Sequence, residues 1–118
     1  MQTKREFEEF LDKLRQSSEG KMVLVEGMKD KKALESLGVK NIMTLKKPLY
    51  AVIEDIVSSG KECIILTDLD KQGKKIYAQI SSKLKQFGVK IDDSFRNFLF
   101  KTKLRQIEGI VSYLEKLM

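Results

Sequence analysis

Histidine and tryptophan are absent from this 118-residue chain, and cysteine and proline occur once each. Without histidine, His-ligated zinc sites, Ser-His-Asp triads and Cys-His pairs are excluded within the chain. Any chemistry must rest on carboxylates, lysines, hydroxyls, the single thiol or a hard metal ion. Cys63 has no partner for an internal disulfide, which fits a reducing cytoplasm. No apolar run approaches the ~20 residues of a membrane-spanning helix. The opening MQTKREFEEF lacks the apolar stretch of a secretory signal, so a cytoplasmic location is expected.

What is present is a charged globule: 42% hydrophobic and 34% charged residues with a net charge of +6. The length suits one domain over 1–118, able to bury roughly two thirds of its unfolded surface. The charge is uneven. Residues 71–105 hold ten Lys or Arg against two acids, a balance of +8, while the rest hold thirteen against fifteen, a balance of −2. Such a block suits a phosphate-rich partner, though it also serves as a solvated surface.

The apolar spacing alternates between helical and extended. Phe7, Phe10, Leu11 and Leu14 fall on one face of a helix over 3–19, with Thr3 and Glu6 placed for a capping box. MVLV at 22–25 is too short for a helix and suits a buried strand ending at Glu26-Gly27. A helix over 29–37, a less regular strand near 40–45 and a helix from Pro48 to Ser58 follow, the helices stopping at Gly38 and Gly60. CIILT at 63–67 is the strongest strand and runs into Asp68-Leu69-Asp70. A helix from about 73 to 87 ends at Gly88, and VKI at 89–91 is expected as a fourth strand. Residues 92–117 read as helices broken near 101–103, with Leu104, Ile107, Val111, Leu114 and Met118 as an inner stripe. Helices between short apolar strands predict a three-layer α/β/α, Rossmann-like fold: a four-stranded parallel sheet with helical extensions at both ends.

Three acids stand at strand ends: Glu26 after the first strand, Asp68 and Asp70 after the third. Ligands of open α/β sheets bind outside those carboxyl ends. If the two strands are neighbours, three carboxylates converge, and spacing of two in an extended segment projects Asp68 and Asp70 from one side. A divalent cation would relieve their repulsion, and oxygen-only ligands favour Mg²⁺ or Mn²⁺ over zinc. Taken singly, each acid also has a structural use, as a helix cap or a turn former.

VLVEGMKD at 23–30 and IILTDLDKQG at 64–73 together resemble the two motifs of Toprim domains, modules that also occur in primases and topoisomerases. The chain is most similar in kind to small free-standing Toprim proteins and ribosomal-RNA maturation nucleases. The likeness covers about 21–91. It implies Glu26 as general acid or base, Asp68 and Asp70 as Mg²⁺ ligands, Gly27 as a turn close to substrate and Gly73 as an unobstructed helix start. Asp30 matches the family's trailing acid and reads as a helix cap or as a residue supporting the site from behind, more often than as a ligand. No tyrosine stands in a topoisomerase-nucleophile context; Tyr50, Tyr77 and Tyr113 read as packing, and nothing resembles the domains that accompany Toprim in primases.

Lys29, Lys71, Lys74 and Lys75 would ring the acids and hold phosphate. Phe95, Phe98 and Phe100 are candidates for base stacking, with at least one expected in the core. Cys63 reads as a buried small hydrophobe. The function expected is Mg²⁺-dependent phosphodiester chemistry on RNA or DNA, as a nuclease or nucleotidyl-transfer module. The alternative is a non-catalytic nucleic-acid-binding module acting within a larger complex. A phosphoryl-receiver domain also gathers acids at strand ends, with Lys90 as its later lysine, but Glu-Gly-x-x-Asp is the wrong opening. Residues 92–118 are read as a helical lid on one sheet face or, alternatively, as an extension that binds a protein partner or positions RNA.

Overall fold

A computed structural model describes residues 3–117, so Met118 of the expected apolar stripe lies outside the described residues. Helix α1 spans Lys4–Ser18, and Thr3 and Glu6 close a reciprocal capping box at its start, both bonds at 3.1 Å. Strand β1 (Met22–Val25), helix α2 (Met28–Ser36), strand β2 (Ile42–Thr44), helix α3 (Leu49–Ser59) and strand β3 (Cys63–Ile65) follow in alternation. Helix α4 (Lys71–Gln86), α5 (Ser94–Phe100), a 3-10 turn (Ile107–Gly109) and α6 (Ile110–Lys116) complete the chain.

The sheet is parallel with order β2-β1-β3, so the first strand lies beside the third, the condition on which a meeting of their terminal acids depends. It has three strands among the described residues, not four. The VKI run makes one isolated parallel bridge, Ile91 to Cys63. Asp92 ends it: its carboxylate accepts from the backbone N–H of Ser94 at 3.0 Å and turns the chain into α5. An aspartate bonding two residues ahead favours a turn over further ladder.

Successive strand residues feed two cores, as the pleat requires. Val23, Val25, Ile64 and Leu66 pack with residues of α1, α2, α5 and α6. Leu24, Cys63 and Ile65 pack with residues of α3 and α4. Helices therefore cover both faces, leaving the carboxyl ends of β1 and β3 open along one edge. Gly38, Gly60 and Gly88, the expected helix stops, all have positive φ. Phe95 is core and Phe98 stacks on Phe10 at 4.5 Å, whereas Phe100 is partly exposed. Tyr50 departs from expectation: it is 75% exposed rather than packed. No described helix is long and apolar enough to cross a membrane.

Candidate metal and phosphate site at the strand ends

Because β1 and β3 pair directly, residues forty-two positions apart meet beyond their ends. The Glu26 carboxylate accepts from the backbone N–H of Asp68 at 2.7 Å. Glu26, Gly27, Lys29, Asp30 and Asp68 line one cleft of about 330 Å³. Asp30 sits at the start of α2, where it is buried and its carboxylate accepts from the Gly27 N–H at 3.0 Å. It thus caps the start of α2 while also lining the cleft. Gly27 itself is extended, with φ −142°, so its backbone imposes no demand for glycine.

Asp70 takes a different position from the one its spacing suggests. The chain is no longer strand after Ile65, and Asp70 becomes the N-cap of α4, accepting from Gly73 N–H at 2.8 Å. Asp68 instead accepts from the backbone N–H of Ile107 at 2.9 Å. The two carboxylates thus take partners in different parts of the chain, and Asp70 lines a neighbouring groove rather than the Glu26 cleft. Gly73 is required by close packing. A Cβ there would lie 1.9 Å from the Asp68 carbonyl oxygen.

Burial first, then repulsion from Asp68, Asp30 and Asp70, holds the Glu26 carboxyl above its ordinary range, against the pull of the Asp68 N–H. Asp68 is raised by burial and by Asp70 and Glu108, while the Ile107 N–H and Arg96 oppose the shift. Asp30 is raised chiefly by burial, with Asp68 and Glu108 adding repulsion. A cation would relieve this mutual repulsion. Among the described residues no three of His, Cys, Asp and Glu form a set that could hold a metal ion. The donors present fit Mg²⁺ bound through one or two carboxylates with water completing its shell, rather than a protein cage.

Two features of the site were not visible in the sequence. Arg96, 3% exposed, reaches from α5 and donates to the carbonyls of Thr67 at 2.6 Å and Asp68 at 3.1 Å. Its guanidinium lies 4.7 Å from the Tyr77 ring and 5.1 Å from the Phe100 ring. Gln106 and Glu108, from the connection between α5 and α6, form the far wall of the cleft. An arginine in RNFLF and a glutamate in QIEG carry no local signal, since only the folded chain carries them to the acids.

Of the four lysines expected near the acids, Lys29 lines the cleft. Lys71, Lys74 and Lys75 are exposed along the first turns of α4 and line neither the cleft nor the groove beside it. Lys74 stands 5.4 Å from the Phe100 ring. A larger groove, about 560 Å³ between α3 and α4, contains none of the acids at the strand ends.

The Toprim domain family model matches residues 21–98. A UPF0292 protein of Methanocaldococcus jannaschii is 32% identical over 114 residues, covering 92% of this chain and 89% of that protein. A UPF0292 protein of Pyrococcus abyssi is 35% identical, with 88% and 78% covered. A solved structure described as a putative protein from Aquifex aeolicus superposes with a TM-score of 0.80 at 36% identity, over 86% of this chain and 95% of that one.

Proposed function

The chain belongs to the Toprim domain family, and from that membership and the strand-end acids we propose Mg²⁺-dependent phosphodiester chemistry on nucleic acid, as a nuclease or nucleotidyl-transfer module. The observation that carries this reading is the meeting of Glu26 with Asp68 in one cleft at the carboxyl edge of the sheet. Asp68 and Asp70 are the residues to hold the cation, with Mn²⁺ able to substitute. When bound, Mg²⁺ supplies polarisation of a phosphate oxygen and stabilisation of the charge that develops on it. Glu26 takes or returns the proton of the reacting hydroxyl. Its raised pKa suits that work, because a general acid or base is most effective with a pKa near the working pH. Arg96 fixes the Thr67–Asp68 backbone, so that Asp68 is presented from a rigid support. Lys29 stands at the mouth to orient phosphate. The sequence resemblance to ribosomal-RNA maturation nucleases, which the UPF0292 relatives do not extend, is the reason to include structured RNA among the first substrates tried.

One observation favours a non-catalytic module within a larger complex. Glu26, Asp68 and Asp70 each spend a carboxylate oxygen on a backbone N–H, so all three also have structural work. The experiment that separates the two readings is a panel of labelled RNAs and DNAs with Mg²⁺ or Mn²⁺, run beside Glu26→Gln. Glutamine keeps an oxygen for the Asp68 N–H, so folding and binding should persist. Turnover should fall about 10²–10⁴-fold, the usual loss of a general acid or base. If the wild type binds in a Mg²⁺-dependent way yet turns over none of the panel, the binding module is the better reading.

A further inference from the structure

The connection between α5 and α6 lies beyond residues 21–98, yet it is fastened to the loop that carries the acids. The Arg105 carbonyl accepts from Leu69 N–H at 2.7 Å, and Ile107 N–H donates to Asp68 at 2.9 Å. Between these two bonds, Gln106 faces two cavities. One is the acid cleft, and the other is a groove of about 420 Å³ running toward α6. Asp70, Lys103, Arg105, Tyr113 and Lys116 are among the residues lining that groove.

Its three cations are exposed, and among the described residues none lies in a salt bridge. Arg105 is held in place, because its Nη1 donates to the carbonyls of Thr102 at 2.9 Å and Leu104 at 2.7 Å. Three cations along one concavity, with Asp70 the one acid among its described lining residues, give it a net positive charge that favours a polyanion. A cationic groove with an aromatic side chain is the arrangement that single-stranded nucleic acid uses, phosphates on the cations and a base against the ring. Here the aromatic side chain is Tyr113, which lines the groove and is partly exposed, while its ring also packs against Phe7 at 5.3 Å between centroids, so only its exposed part is open to a base.

We infer that this groove is the path by which a single-stranded nucleic acid reaches the acid cleft, with Lys103, Arg105 and Lys116 on its phosphates. The inference rests on reading the cleft as a nucleic-acid site, and it moves the strand away from the α4 lysines that the sequence singles out. A strand lying along the groove passes Gln106 and delivers the next phosphate to Asp68 and Glu26.

The test is fluorescence anisotropy with labelled oligouridylate and oligothymidylate and a duplex of equal length, in Mg²⁺, on a Glu26→Gln background that silences turnover. Reversal at Lys103→Glu, Arg105→Glu and Lys116→Glu should weaken single-strand binding roughly ten-fold or more at moderate salt. It should also flatten the slope of log K against log salt by about 2, since each lost phosphate contact on a single strand removes about 0.7. Lys74→Glu with Lys75→Glu should cost less. Lys103→Gln with Lys116→Gln, which disturbs no side-chain hydrogen bond among the described residues, should flatten the slope by about 1.4 and guards against misfolding of the triple reversal.

Binding that survives the groove changes but collapses on reversal at Lys74 and Lys75 overturns the path and leaves the proposed function standing. Preference for the duplex overturns the single-strand assignment. No binding of any of these probes by the parent protein overturns the path, while the proposed function is then decided by the panel of structured RNAs and DNAs.

Discussion

Gly73 shows how tightly single residues are constrained around the acids. The first turn of α4 lies against the Asp68 backbone so closely that a Cβ at Gly73 would stand 1.9 Å from the carbonyl oxygen. That same oxygen accepts from Arg96, and the Gly73 carbonyl accepts from Thr67 Oγ1 at 2.8 Å, so neither side is free to yield. Gly73→Ala should therefore destabilise by about 1–3 kcal/mol or more, the usual cost of overpacking. Gly20→Ala, where a Cβ meets nothing within 4 Å, is the control. Urea unfolding of the two variants checks this, and equal midpoints would contradict the close approach. Cys63 is the opposite case, a residue with potential reactivity that burial removes. It is fully buried, and burial pushes its thiol up to about 12, so it is inert at neutral pH.

At the scale of elements, the end of the sheet opposite the acids is fastened by Lys21. Its ammonium donates to Asp92 at 2.8 Å and lies 3.1 Å from Glu62, tying the start of β1 to the turn before α5. Burial alone would raise the Asp92 carboxyl, but bonds from Lys21 and Ser94 outweigh it and leave the group below its ordinary value of 3.8. A carboxyl depressed on folding contributes stability above its unfolded pKa and loses it as pH falls through the folded one. Asp92→Asn should thus cost about 1–3 kcal/mol at neutral pH, with the difference from wild type shrinking below about pH 4. Chemical unfolding at several pH values measures this. A gap that stays constant into acid would show that charge is not what Asp92 contributes.

Elements were legible wherever the cause was local. Apolar runs too short for a helix marked β1 and β3, and glycines with positive φ marked the ends of α2, α3 and α4. The Thr3 box is written in four consecutive residues. VKI carried the same apolar signal as a strand, but Asp92 turned the chain after one bridge, so composition overstated the sheet. The pairing of Glu26 with Asp68 followed from strand order. The different partners of Asp68 and Asp70 did not, because the chain leaves the extended state before it reaches them. Arg96, Gln106 and Glu108 come to the acids by tertiary packing of α5 and the connection behind it, for which no spacing rule exists.

For the molecule as a whole, the net charge of +6 surrounds an edge where Glu26, Asp30 and Asp68 share one cleft with Asp70 beside it. A ligand that binds only the folded state raises stability by mass action, by about 2.7 kcal/mol when its concentration is a hundred times Kd. For a chain of this length that corresponds to a rise in Tm on the order of 10 °C. Mg²⁺ should produce such a rise over NaCl of matched ionic strength, because screening alone relieves the acid repulsion less than a bound cation does. Asp68→Asn and Asp70→Asn should each shrink the rise. Asparagine retains an oxygen for the Ile107 or Gly73 N–H and is itself a good N-cap, so the fold should survive both changes. Glu26→Gln should keep most of the rise, since Glu26 is assigned the proton rather than the metal. Thermal unfolding followed by circular dichroism across a Mg²⁺ titration reads all four proteins. A wild type with no rise beyond the NaCl control, or an Asp68→Asn protein with a full one, would defeat the assignment of Asp68 as a ligand. Loss of the rise in Glu26→Gln would make Glu26 the ligand and require the proton to be moved by another group.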